Sequence, residues 1–147
     1  GKWLDLTTFD NDVEKLQEAV DRIANYLGSI YGDEWAIHDY SHCVNMGENP
    51  DLEKLLEVAE KCTEEGYEKV KAFIEVYSIE DLDYFEESYC GEWDSFQEYA
   101  EDYFDSCYEV PDNLANYIDY EKFANDLSYD HYIVDAPQSG VFIFRSF

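Results

Sequence analysis

Between Lys71 and Lys122 the chain has no basic residue, while positions 72–121 hold sixteen Asp or Glu. That one-signed run constrains the fold more than any other feature. Carboxylates four residues apart on a helix repel by a few tenths of a kcal/mol per pair, and most surfaces interleave Lys to offset this. A helix in this run must therefore be held by what it buries. Residues 84–106 (YFEESYCGEWDSFQEYAEDYFDS) supply the means, combining eight carboxylates with eight aromatic rings.

The chain carries 36 Asp and Glu against 9 Lys and Arg, a formal net charge of −27. Such an excess is common in disordered chains, which lack apolar residues to offset chain entropy. Here 46% of residues are hydrophobic and 18% aromatic, with 7 Gly and 3 Pro, which predicts a folded protein. The 147 residues suit one domain or two or three small subdomains. Solubility needs a net charge of only roughly 2–8, and a larger one weakens the compact state. The surplus points to a partner. Nucleic acid and anionic membrane are excluded as direct partners, and basic surfaces or cations are favoured.

Local patterns predict the elements. Residues 2–7 (KWLDLT) alternate like a strand. Asp10 is the expected cap of a helix with Val13, Leu16, Val20, Ile23, Leu27 and Ile30 on one face, ending near Gly28 or Gly32. Residues 34–40 (EWAIHDY) predict a second strand. Asn49 and Pro50 open a second helix, whose face is Leu52, Leu55, Leu56, Ala59 and Cys62, with Gly66 as its stop. Tyr67, Val70, Ile74 and Tyr77 define a third helix. Ser78 with Asp81 starts a fourth, continuing through Ile79, Leu82, Phe85 and Tyr89.

Residues 90–93 read as a turn, and Asp94 with Gln97 as the capping box of a fifth helix running to Cys107. A short helix is expected near 120–127, and 131–134 and 141–147 flank APQSG as a closing hairpin. Strands and helices segregate, so the class is α+β. Three subdomains follow: an N-terminal β-α-β part over 1–48, a central helical bundle over 49–90, and C-terminal helices plus a β-hairpin over 91–147.

At 100° per residue, Glu98, Glu101, Asp102 and Asp105 form one stripe of the fifth helix, opposite Phe96, Tyr99, Ala100, Tyr103 and Cys107. Neighbouring helical carboxylates lie about 5–6 Å apart, near the spacing of phosphates along a strand. Duplex DNA carries one charge per ~1.7 Å of axis, so at that density 27 charges occupy about 46 Å. The rows thus fit a positively charged DNA channel. The candidate partner-binding carboxylates are Glu80, Asp81, Asp83, Glu86, Glu87, Glu92, Asp94, Glu98, Glu101, Asp102, Asp105, Glu109, Asp112, Asp119, Glu121 and Asp126.

Other chemistries find little footing. HDYSHC at 38–43 gathers His38, Asp39, His42 and Cys43, but the stretch reads as strand and turn, and no second ligand pair follows. Calcium lacks a D-x-[DN]-x-[DN]-G loop. Neither metal nor cofactor is expected. No nucleophile elbow, P-loop or dinucleotide fingerprint occurs, and abundant carboxylate pairs single out no acid or base, so the chain reads as non-catalytic. The four cysteines (43, 62, 90 and 107) form no C-x-x-C, and Cys62 and Cys107 fall on apolar helical positions that suit buried free thiols. With no signal peptide or membrane-length apolar run, a reducing cytoplasm is the expected compartment.

Four stretches carry a family likeness: WAIHDY at 35–40, GEWDSFQEYAEDYF at 91–104, LANYIDYEKFANDL at 114–127 and GVFIFRSF at 140–147. Through them the chain resembles the ArdA antirestriction proteins, small acidic proteins of mobile elements and phages. The resemblance spans nearly the whole chain, and 114–127 is its most specific part. It implies an elongated, curved chain of three small subdomains that dimerises and mimics bent B-form DNA. It further implies inhibition of type I restriction–modification enzymes in the bacterial host's cytoplasm, by occupation of the DNA groove of the methyltransferase core.

The antirestriction motif positions carried over are Leu114, Asn116, Tyr117, Ile118, Asp119, Tyr120, Phe123, Asp126 and Leu127. Within 114–127, Tyr117, Ile118, Phe123 and Leu127 are expected to pack, and Asp119, Glu121 and Asp126 to face the partner. Asn125 stands where the family usually has Arg, and the family's pattern includes an earlier strand and loop upstream of Gly1. Phe96, Phe104 and Tyr108 are candidate dimer-forming rings. The competing expectation is an acidic mimic or sequestrant aimed at another basic DNA-binding partner, such as a nucleoid protein or a CRISPR-type effector.

Overall fold

A computed structural model of the chain describes residues 1–31 and 35–147, with the side chains of 27–31 outside the description. The chain divides into two compact units, Gly1–Leu82 and Asp83–Phe147. Among the described residues, six helices and a three-stranded antiparallel sheet make the class α+β.

Among the described residues the first unit is helical, without strands. Residues 2–7 do not form the expected strand. Asp5 instead accepts from the Thr7 amide and caps a 3-10 turn at Leu6–Phe9. Helix α1 spans Val13–Tyr31, and its cap is Asp12, which accepts from the Lys15 amide, rather than Asp10. Asp10 stands left-handed just before it (φ 49°). Leu16 is fully buried, while Leu27, Gly28 and Ile30 have side chains outside the described set. Gly32 and Glu34, placed at the helix stop and in the second strand, also lie outside the described residues. Residues 35–40 are irregular rather than a strand, although the Ile37 amide donates to the Glu48 carbonyl at 2.7 Å. The described part of 1–48 is therefore not β-α-β.

Helix α2, Leu52–Glu65, starts after Asp51, whose carboxylate accepts from the Lys54 amide. The cap lies two residues beyond Asn49, and Pro50 precedes the helix instead of opening it. Leu52, Leu55, Leu56, Ala59 and Cys62 are buried as their spacing predicts, joined by Val58. Gly66 ends α2 at φ 99°. Helix α3, Tyr67–Val76, buries Val70, Ala72 and Phe73, and Ile74 is only half-buried. Ser78 does pair with Asp81, its hydroxyl donating at 2.8 Å, but the turn it starts is 3-10 (Ile79–Tyr84).

In the second unit, α4 is one turn, Phe85–Ser88. The expected turn at 90–93 is instead a strand, β1 (Tyr89–Trp93). The boundary expected between 90 and 91 falls inside it. Strands β2 (His131–Asp135) and β3 (Val141–Arg145) form the expected hairpin, and β3 takes the centre of the order β1-β3-β2. A bulge between Tyr89 and Gly91 shifts the β1 register, so Gly91 faces Ile143 and Trp93 faces Val141. The expected turn residue Gly91, at φ 106°, serves that bulge. Phe142, Ile143 and Phe144 are consecutive and all buried, so both faces of the central strand are covered.

Helix α5, Phe96–Cys107, begins at Ser95, whose hydroxyl accepts from the Glu98 amide. The capping pair is one residue later than Asp94 and Gln97. Helix α6 spans Tyr120–Leu127 with Asp119 as its cap. Helices α5 and α6 pack through rings: Phe104 meets Phe123 edge-on at 5.0 Å and Tyr120 at 5.3 Å. No described helix is long and apolar enough to cross a membrane.

Candidate functional site

Along α5, Tyr99 and Ala100 are buried and Phe96 and Phe104 half-buried. Glu98, Glu101, Asp102 and Asp105 are all exposed on the other side. Two residues expected on the inner face, Tyr103 and Cys107, are exposed, and Phe104 replaces them. The difference of one position rotates the apolar stripe toward α6, where Phe104 finds its aromatic partners. The acidic row itself is as the spacing predicts. Gln97 donates to Glu101 at 2.8 Å, which orders that carboxylate without neutralising it.

The helix is held from beneath by a hydrogen-bonded relay. The His131 Nδ1–H donates to the Leu127 carbonyl at 2.8 Å, because a carbonyl can only accept. In the Nδ1–H tautomer, Nε2 then accepts from the Tyr99 hydroxyl at 3.1 Å. One imidazole thereby joins α5, the end of α6 and the start of β2. Burial, then the Cys90 side chain, pushes the Tyr99 phenol well above its ordinary range.

No described helix carries a basic residue in its last turn. Asp105 instead lies near the C-terminus of α5, where the helix dipole disfavours an anion by about 0.3–1 kcal/mol. The second unit holds sixteen acids against two bases, Lys122 and Arg145, a net of −14 over 65 residues. Arg145 is partly committed, its Nε–H donating to the Glu87 carbonyl at 2.9 Å. Ion pairs at Lys15, Lys54 and Lys61 belong to the first unit.

Of the sixteen candidate carboxylates, fifteen are exposed. Asp81 is half-buried and accepts from Ser78, a structural task. Asp119 is exposed yet caps α6 by accepting from the Lys122 amide at 3.0 Å. Glu80 and Asp81 lie in the first unit and the other fourteen in the second.

Residues 114–127 sort differently from expectation. Phe123 and Tyr120 pack on Phe104, while Ile118 and Leu127 are half-buried. Tyr117, expected to pack, is 83% exposed, and Leu114 and Asn116 are also exposed. Asp126 and Glu121 are exposed as expected. Sequence spacing missed Tyr129, 81% exposed, and His131, whose role depends on tertiary partners. Phe96, Phe104 and Tyr108, offered as dimer-forming rings, all meet other rings within the unit, Tyr108 lying against Phe104 at 5.0 Å although it is also exposed. No cluster of three or more His, Cys, Asp or Glu suited to a metal ion occurs among the described residues.

A protein-family model described as antirestriction protein (ArdA) matches residues 1–141. Comparison with curated proteins and with solved structures returns no match.

Proposed function

The chain belongs to the ArdA antirestriction family, and on that premise we propose that it mimics double-stranded DNA and inhibits type I restriction–modification enzymes by occupying the DNA groove of the methyltransferase core. The family is one of antirestriction rather than of catalysis. The observation that carries the finer reading is the exposed α5 row, set in a unit with sixteen acids and two bases. Glu98 to Asp105 covers about 10 Å of helix axis with four carboxylates. The same length of duplex carries about six phosphates. A single helix thus reaches roughly two-thirds of the DNA charge density, and Glu92, Asp94, Asp119 and Asp126 add to it from the same unit. Binding would release counterions from the basic groove, as DNA does.

The same reading takes the functional species as a homodimer in the bacterial cytoplasm, with no cofactor. The exposed rings of Tyr108, Tyr117 and Tyr129 offer it apolar surface. A panel tests the target: a purified type I methyltransferase, a nucleoid protein and a CRISPR-type effector, each titrated at low salt and with rising salt. Tight, steeply salt-sensitive binding to the methyltransferase is expected. Equal binding to all three would leave only a general acidic sequestrant, and preference for either of the others would overturn the choice of target.

A further inference from the structure

We propose that Cys43 and Cys62 form a buried dithiol that a small peroxide converts to a disulfide, tethering the 35–48 segment to α2. Both cysteines lie in the first unit, apart from the acidic row of the second. Both are free thiols and nearly inaccessible, 8% and 7% exposed. They stand nineteen positions apart in sequence, yet their side chains share a hydrogen bond. The Val44 amide is directed at both sulfurs. One backbone donor serving two sulfurs places them in a single pocket. They also line one cavity of about 1000 Å³, together with Trp3, Leu16, Trp35 and Leu55. That space is ample for a molecule the size of hydrogen peroxide to enter beside the pair.

The elements favour closure. Cys62 is fixed on α2, whereas Cys43 comes from an irregular stretch just after His42, itself left-handed at φ 54°. An irregular segment can shift from hydrogen-bonding to bonding distance without breaking a helix. The pair is also asymmetric. The hydrogen bond from Cys62 holds the Cys43 thiol below its ordinary range, and the same bond, with burial, pushes Cys62 up. Cys43, carried by the irregular segment that moves on closure, is assigned as the attacking sulfur.

The Cys43 thiolate attacks one peroxide oxygen, the O–O bond breaks, and hydroxide leaves to become water. Cys43 is then a sulfenic acid. Cys62 gives up its proton and attacks the Cys43 sulfur, and the sulfenic oxygen leaves as a second water. Two thiols are oxidised to one disulfide, and the peroxide is reduced to two waters.

Mass mapping of the full chain after mild hydrogen peroxide treatment tests this. The expected result is a loss of two hydrogen masses, reversed by reductant, with a cross-link between the tryptic peptides holding Cys43 and Cys62. Cys43→Ser and Cys62→Ser should each abolish it, and Cys107→Ser, at an exposed thiol of the second unit, should not. If either Ser variant fails to fold, the wild-type map decides alone. Oxidation of Cys107 with Cys43 and Cys62 still alkylatable after unfolding would overturn the proposal, as would a cross-link from either to Cys90 or Cys107.

Discussion

Tyr99 shows how single side chains let a repelling surface stay folded. Its ring is buried under the acidic helix and its hydroxyl ends on His131. Tyr99→Phe removes that donor and leaves Nε2 unmatched, which should cost about 1 kcal/mol in denaturant unfolding. The variant also isolates a pH effect. The phenol is raised in the fold, so the folded state holds its proton while the unfolded state loses it above about pH 10. Stability from this group is therefore full below about pH 10 and falls as pH rises past it. Alkaline unfolding curves should be steeper for the wild type than for Tyr99→Phe, and parallel curves would show that Tyr99 contributes nothing to the alkaline transition. Gly140 is a second fixed point. It stands at φ 80°, and a Cβ there would lie 2.5 Å from the Trp93 carbonyl oxygen. Gly140→Ala should destabilise the sheet by about 1–3 kcal/mol, measured by the same unfolding. Neither constraint is visible in local spacing. The loop around Gly140 reads as a hairpin turn, but the need for glycine comes from β1, far earlier in the chain.

Elements defined by their own periodicity were legible, and those defined by distant partners were not. The apolar face of α2, the acidic row of α5, the extent of α6 and the closing hairpin follow from residue spacing, whereas the apolar face of α5 is shifted by one position. β1 reads as a turn because Gly91 looks like a turn residue, and only pairing with β3 makes it a strand. The alternation at 2–7 failed for the opposite reason: it has no strand to pair with among the described residues, and Asp5 captures the Thr7 amide instead. Capping errors were small but consistent, the true acceptor lying one or two residues after the expected one. Ser95→Ala should therefore cost about 1 kcal/mol and lower helicity by circular dichroism, while Asp94→Ala leaves both nearly unchanged. If the proposed function holds, the acidic row should separate stability from binding. Reversing Glu98, Glu101, Asp102 and Asp105 to Lys should weaken target binding roughly a hundredfold or more at low salt. The circular dichroism spectrum should stay native, because none of the four is buried. Undiminished binding would place the contact surface elsewhere. Asp81 and Asp119 are poor choices for such a test, since removing either also removes a hydrogen bond that the fold uses.

Across the whole molecule the charge is spread unevenly in kind rather than in amount. Gly1–Leu82 carries twenty acids and seven bases, several of them in ion pairs, while Asp83–Phe147 carries sixteen and two. The two units thus carry nearly equal net charge, −13 and −14, but the second concentrates it in 65 residues with two bases, and that surplus is visible in the amino-acid composition itself. Composition does not distinguish the carboxylates that serve the fold, because capping and turn bonding depend on local geometry. The central claim is that this surface stands in for a duplex. It is tested by loading a type I methyltransferase with fluorescently labelled duplex and titrating the protein while following anisotropy. Full displacement of the DNA is expected, at protein concentrations that rise steeply with salt. A ternary complex that keeps its DNA in the groove at saturating protein would contradict the claim.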